Sequence, residues 1–233
     1  MATGENPHLA RGQRFDPSAR GEGTLVGSWA AGWTEYPERT CLILGPEHAL
    51  SYGDLEAASR HAAGKLRGAG LYPGDRVILS AASSIHLVVA HVACLRAGLV
   101  VVPTNTAYRA TELQHVVGDA KPRAAIIDDP QRAEWIRGAD ERVLTLSPEL
   151  PLADGPAIDL DTAAPNDPAL IGYTSGTTGQ PKGAVLSQHN LASSIEALRL
   201  AWRWTSDDRL ALSLPLFHMH GLGVGLHGTL HAG

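Results

Sequence analysis

Short apolar runs alternate along this chain with longer stretches whose apolar residues recur every three or four positions, and that alternation leaves few folds open. Arg76-Val77-Ile78-Leu79 and the runs 100–102, 124–127 and 143–146 have the character of strands. Between them, residues 54–66 place Leu55, Ala58, Ala62 and Leu66 at helical spacing and run into Gly68 and Gly70, which can stop a helix. Ser83 or Ser84 can cap a second helix reaching Ala97, and Thr111 with Glu112 and Leu113 opens a third that ends near Gly118. The pattern predicts an α/β fold of layered, mostly parallel sheets flanked by helices. Downstream it predicts a strand at 169–173, a short strand at 184–186, a helix at 190–200 capped by Asn190, and a strand at 210–214. The Pro-, Asp- and Ala-rich stretch 147–168 reads as a surface connection.

Composition excludes several classes. A net charge of −5 and the absence of any Lys/Arg block leave no electrostatic footprint for nucleic acid. Cys41 and Cys94 are too few for a disulfide framework and lack metal-ligand spacing, so the expectation is two reduced thiols in a cytoplasmic protein. Residues 1–23 have no apolar core of the secretory kind and read as a loose tail. The most apolar stretch, 85–102, is interrupted by His91, Arg96 and Gly98, which suits a buried helix followed by a strand and not a membrane span.

The strand at 169–173 feeds Tyr173-Thr174-Ser175-Gly176-Thr177-Thr178-Gly179-Gln180-Pro181-Lys182-Gly183. Glycines allow close backbone approach, hydroxyls and amides donate to oxyanions, and lysine adds a mobile charge, which together suit a polyphosphate. The pattern G-x-x-x-x-G-K-[ST] fails, because Gln180 and Pro181 separate Gly179 from Lys182 and Gly183 follows the lysine. Pro181 can stiffen the approach to Lys182, and Gly183 is expected to let the chain turn back into a strand. The competing reading is a polar surface turn with local Ser/Thr capping.

The stretch resembles the signature of the adenylate-forming superfamily, which includes acyl-CoA synthetases, peptide-synthetase adenylation domains and luciferases. Leu50-Ser51-Tyr52-Gly53-Asp54-Leu55, Leu95-Arg96-Ala97-Gly98 with Val100-Val101-Val102-Pro103, and Leu214-Pro215-Leu216-Phe217-His218-Met219-His220-Gly221 resemble further family segments in the same order. The last of these is closest in wording to CoA synthetases for small acids of the malonyl type. The resemblance implies an AMP-forming acyl-CoA synthetase using ATP, Mg2+ and coenzyme A on a carboxylic acid. It places Thr174, Ser175, Gly176, Thr177, Thr178, Gly179 and Lys182 around the phosphates and Thr174 on the magnesium. Lys182 would be catalytic, as would His218, the aromatic gate; His218 and His220 would also bind substrate, with Met219, Leu222 and Val224 lining or supporting the acyl tunnel. It also implies an N-terminal part only. Residues 24–233 would form a partial AMP-binding domain, with one lobe at about 75–202 nearly complete and a second, from 24–74 and 203–233, cut short; the C-terminal domain would be absent. Self-association through the truncated face and inactivity of the chain by itself are expected.

Other readings stand beside these. His218 and His220, two apart on a strand-like segment, would share a face and could begin a metal site, with His227 and His231 nearby on one helix face. Trp202 and Trp204 are expected to be buried in the core. The activity could instead be that of an adenylation module loading a carrier-protein thiol, or the chain could be a truncated, non-catalytic binding protein.

Overall fold

The computed structural model describes residues 23–46, 48–174 and 181–233. Six strands form the central sheet: β3 (Arg76–Ser80), β4 (Val100–Pro103), β5 (Ala124–Ile127), β6 (Leu144–Leu146), β7 (Pro168–Thr174) and β8 (Lys182–Ser187), in the order β6-β5-β3-β4-β7-β8. All neighbours run parallel except β7 and β8, which are antiparallel. A separate hairpin precedes them, β1 (Thr40–Leu44) with β2 (His48–Ser51).

The strand side chains alternate between two cores. Val77, Leu79, Val101, Ala124 and Ile126 face one layer, while Ile78, Val102, Ala125 and Ile127 face the other. The first layer is covered by α1 (Leu25–Glu35), α2 (Tyr52–Gly68), α3 (Ile85–Arg96), α6 (Gln188–Trp202) and α7 (His227–Ala232); α4 (Ala110–Ala120) and α5 (Pro130–Ala139) cover the second. Burial on both faces is why these strands read as unbroken apolar runs.

Local chemistry sets the helix ends. Ser51 and Asp54 form a capping box on α2, Ser84 caps α3 through the Leu87 amide, and Asp129 caps α5 with Pro130 in the first turn. α6 starts at a capping box made by Ser187 and Asn190, so Asn190 is the third helical residue and not the cap. Its amide side chain accepts from the Ser187 amide at 3.0 Å, the role usually taken by Glu or Gln.

Arg96, at the end of α3, is 3 % exposed and satisfied by Asp161, Glu56 and the Ser59 hydroxyl, with its guanidinium 4.9 Å from the Trp33 ring. These bonds fasten the connection 147–167 onto α2 and α3. That connection is largely exposed as expected, yet Leu150 is buried and the backbone at Gly155 and Pro156 lies directly on Gly64 of α2.

Two expectations fail downstream of α6. Residues 210–214 form no strand and, among the described residues, pair with none, so Leu210, Leu212 and Leu214 stay 45, 38 and 46 % exposed. Trp202 is 51 % exposed; it meets Trp204 edge-on at 5.3 Å, and only Trp204 turns inward, against Gly228. Spacing puts Trp202, seven residues after Ile195, on the same stripe as Leu191 and Ile195, but it is the last residue of α6 and the chain reverses at the left-handed Arg203.

Candidate functional site

Thr174 and Lys182 are register partners at the turn end of the β7–β8 hairpin, followed by Tyr173 opposite Gly183 and Gly172 opposite Ala184. Both side chains are exposed. Ser175, Gly176, Thr177, Thr178 and Gly179 lie outside the described residues. Gly183 sits inside β8 without a left-handed backbone, so it is not the reversal point expected of it. Its use is proximity: a Cβ there would come within 2.8 Å of the Ile171 side chain and 3.3 Å of the Tyr173 ring.

The hairpin end lies where the sheet changes direction. In sequence β4 is followed by α4 and then β5, which lies on one side of it in the sheet, while β7 leads directly to its antiparallel neighbour β8 on the other, so the chain departs in opposite directions from the carboxyl ends of β4 and β7.

The Phe217-His218-Met219-His220-Gly221 segment lies near the end of β4 and against β7, but not as a strand. A turn through Leu216 and Phe217 leads into a π-helical segment, His220–Leu226, that continues as α7. π-helical turns recur at functional sites. Gly221 is required sterically, since a Cβ there would strike the Pro215 carbonyl and reach the Leu214 carbonyl at 3.0 Å. The His218 amide donates to the Pro215 carbonyl at 3.1 Å and the Leu222 amide to the His218 carbonyl at 2.8 Å, fixing the backbone. His218 and His220 are both exposed, and the Phe217 and His218 rings lie 4.5 Å apart. Met219 points back onto β7, its sulfur 3.8 Å from where a Gly172 Cβ would be. The glycine therefore lets the histidine turn settle beside the Thr174–Lys182 end. Leu222 is buried and Val224 half-buried. A cavity of about 10 Å3, room for one water, lies beneath the turn between Leu79, His91, Pro103, Leu216, Phe217 and Leu222.

Several residues around the site carry no motif. On α4, the Tyr173 hydroxyl donates to Asp119 Oδ2 at 2.6 Å, and His115 Nε2 contacts the Pro181 carbonyl at 2.8 Å. Burial and the Asp119 carboxylate push the Tyr173 hydroxyl well up from its ordinary range, so it stays a donor. Asp119 and His115 are more than fifty residues from the hairpin in sequence, and their only signal is position on a helix with an apolar stripe.

Beneath the histidine turn, His91 and His227 share a hydrogen bond of 2.7 Å between their Nε2 atoms, with rings nearly parallel and Trp29 against His227. Burial drives both histidines well below the ordinary range and keeps them neutral. His231 turns elsewhere, to Glu196 at 2.8 Å. Burial would raise the Glu196 carboxyl, but Arg199 and His231 hold it below its usual range. His227 and His231 thus serve different partners on α3 and α6, and the described residues contain no group of three His, Cys, Asp or Glu arranged to hold a metal. Burial pushes the thiols of Cys41 and Cys94 up to about 12, far from nucleophilic. Among the described residues no helix is long and apolar enough to cross a membrane.

A magnesium ion fits this chemistry only in one form. Thr174 offers one hydroxyl oxygen, which suits an ion already carried by phosphate oxygens and not an all-protein cage.

Comparison with known proteins fits this geometry. The family model described as AMP-binding enzyme matches residues 29–233. The chain is 32 % identical over 215 residues to the oxalate–CoA ligase of Arabidopsis thaliana, covering 85 % of this chain and 42 % of that protein. It is also similar to the ATP-bound MatB crystal structure from Rhodopseudomonas palustris, with a TM-score of 0.81 and 33 % identity over 90 % of this chain and 44 % of that one. The o-succinylbenzoate CoA synthetase of Bacillus subtilis, solved with its acyl-adenylate intermediate, gives a TM-score of 0.77 at 26 % identity over 88 % of this chain and 53 % of that one. The chain therefore spans about half or less of each of these relatives.

Proposed function

The chain belongs to the AMP-binding enzyme family, and from that membership we propose that it supplies the phosphate-binding hairpin and acyl-pocket turn of an AMP-forming acid–thiol ligase. In the first step a carboxylate oxygen of the acid bonds to the α-phosphorus of ATP, the bond from that phosphorus to the bridging oxygen breaks, and pyrophosphate leaves. A thiol, that of coenzyme A in this reading, then takes the acyl group and AMP departs. The single observation that carries the reading is Thr174 opposite Lys182 at the end of the β7–β8 hairpin, with Met219 of the histidine turn packed on Gly172 of β7.

Each residue has a role in this reading. An anionic nucleophile must approach a polyanion, so charge cancellation dominates the barrier. Lys182 neutralises pyrophosphate as it leaves, and the hydroxyl and glycine run from Thr174 to Gly179 holds the β and γ phosphates. A magnesium ion held by those phosphates and Thr174 would supply further charge neutralisation. His218 stands beside the carboxylate and α-phosphate, with His220 nearby for substrate. The Phe-His-x-His-Gly wording favours small, malonate-like acids. Residues 75–202 are taken as one lobe, with 24–74 and 203–233 belonging to a second.

The test is single-turnover adenylation beside equilibrium ATP binding in the full-length protein. Lys182→Ala should lower the adenylation rate more than it weakens ATP affinity, and Lys182→Arg should rescue only in part, because a planar fork does not replace a compact ammonium. An unchanged rate with weaker ATP binding would make the lysine a ground-state anchor. Pyrophosphate exchange with oxalate, malonate and ferulate tests the acid class, and preference for ferulate would overturn the small-acid assignment.

A further inference from the structure

We infer that α4 is the positioning element of the phosphate hairpin: His115 and Asp119 set the separation at which Thr174 and Lys182 meet a polyphosphate. The inference rests on the nucleotide reading above. Each arm of the hairpin is gripped once, in the residue immediately before the functional one. Tyr173, preceding Thr174, donates its hydroxyl to Asp119 at 2.6 Å; Pro181, preceding Lys182, presents its carbonyl to His115 at 2.8 Å. A carbonyl only accepts, so His115 must carry its proton on Nε2. His115 and Asp119 are four residues apart, hence one turn apart on the same face of α4.

The helix is a firm reference for such a grip. Leu113, Val116 and Val117 are 0, 1 and 3 % exposed against the second core, and Glu112 accepts the Arg109 amide at the helix start. The two grips also touch each other, since the His115 and Tyr173 rings meet edge to face with centroids 6.2 Å apart. Gly183, the register partner of Tyr173, completes the arrangement: its missing Cβ leaves the space in which the Tyr173 ring reaches Asp119. Removing either grip frees one arm of the ladder's last pair, leaving that arm held there only by its strand bonds. Thr174 and Lys182 then lose their fixed spacing without losing any atom that touches phosphate. Asp119 and His115 are positioning residues, acting through Tyr173 and Pro181.

The experiment uses this chain and inorganic pyrophosphate with Mg2+ as the probe, measuring affinity by calorimetry and amide exchange along residues 170–185. Tyr173→Phe and His115→Ala should each weaken pyrophosphate by about fivefold, the effect of one lost hydrogen bond, and speed exchange at the Thr174–Lys182 end. His115→Gln, which places an amide donor at the same reach, should restore affinity to within about twofold, whereas a role in mere ring packing would not be rescued. Unchanged affinity in both Tyr173→Phe and His115→Ala would overturn the inference, as would faster exchange with unchanged affinity. If the unsubstituted chain fails to bind pyrophosphate, the nucleotide reading falls and this inference with it; altered exchange in the variants would separate that failure from an absent grip.

Discussion

The strand β5 and the segment 210–214 are both short, apolar and rich in aliphatic side chains, yet among the described residues only β5 is part of a sheet. In β5, Ala124 and Ile126 enter one core, Ala125 and Ile127 the other, and β3 and β6 hydrogen-bond on either side. In 210–214, Leu210, Leu212 and Leu214 line an open groove of about 180 Å3 with Leu42, Ile43 and Leu44. What separates them is company. A pleated apolar run becomes a strand where neighbours satisfy its amides and cover its faces, and pattern alone supplies neither.

The sharpest test of that contrast is stability. Ile126→Ala should cost about 3 kcal/mol in denaturant unfolding, from lost burial plus a cavity between β5 and its helices. Leu214→Ala should cost well under about 1 kcal/mol. Equal losses would show that 210–214 is as tightly packed as the central sheet.

Next in size is a pH effect on the way α7 docks onto the described core. His91 and His227 are buried neutral, so their folded pKa values lie below the unfolded value near 6.5, and protons bind the unfolded chain more readily. The stability they permit is present above about pH 6.5 and lost as pH falls toward their depressed folded values, by at most about 1.4 kcal/mol per pH unit for each histidine. Glu196, also depressed, adds loss only at still lower pH. Urea midpoints from pH 7.5 to 5 for the native chain and His91→Leu/His227→Leu check this; an equal slope in both would remove the pair as its cause.

Smaller again is the expected association of the open face. Light scattering over a concentration series should show self-association, and Leu212→Lys/Leu214→Lys should shift it about tenfold to higher concentration, in line with the cost of exposed apolar patches. A monomer at all concentrations would mean the groove attracts nothing. The chain by itself should also give no detectable pyrophosphate exchange with any acid, and robust exchange would show that it needs no further residues for adenylation.

Legibility in the sequence follows the same division. α2 and α3 are readable because a local cap coincides with an apolar stripe, and β3, β4 and β5 because burial on both faces leaves short unbroken apolar runs. α4 is readable by its stripe alone, since its first residue is not the expected Thr111 but Ala110, after an Arg109 without a side-chain cap bond. The hairpin of β1 and β2 escapes notice because it is largely exposed and its strands lack alternation. α5 escapes too, with only Arg132 and Ile136 buried, although Asp129-Pro130 carries a start signal. At the site, the motif residues are readable because their chemistry is concentrated in one run. Asp119, His115, Gly172 and the buried His91–His227 pair are not, since each matters only through a partner distant in the chain.

The contact between Gly64 and the 155–156 backbone carries a consequence for how this sequence can drift. A Cβ on Gly64 would stand 2.9 Å from the Pro156 carbonyl, and one on Gly155 would run into the Gly64 carbonyl. Both obstacles are main chain, so enlarging one position cannot be offset by trimming the other. An irregular, mostly exposed connection ordinarily accepts substitution, insertion and protease cleavage freely. Here the tolerance should be uneven: a library across 147–167 should accept most changes at 162–166 and almost none at Gly155, and limited proteolysis should spare the peptide bonds around it.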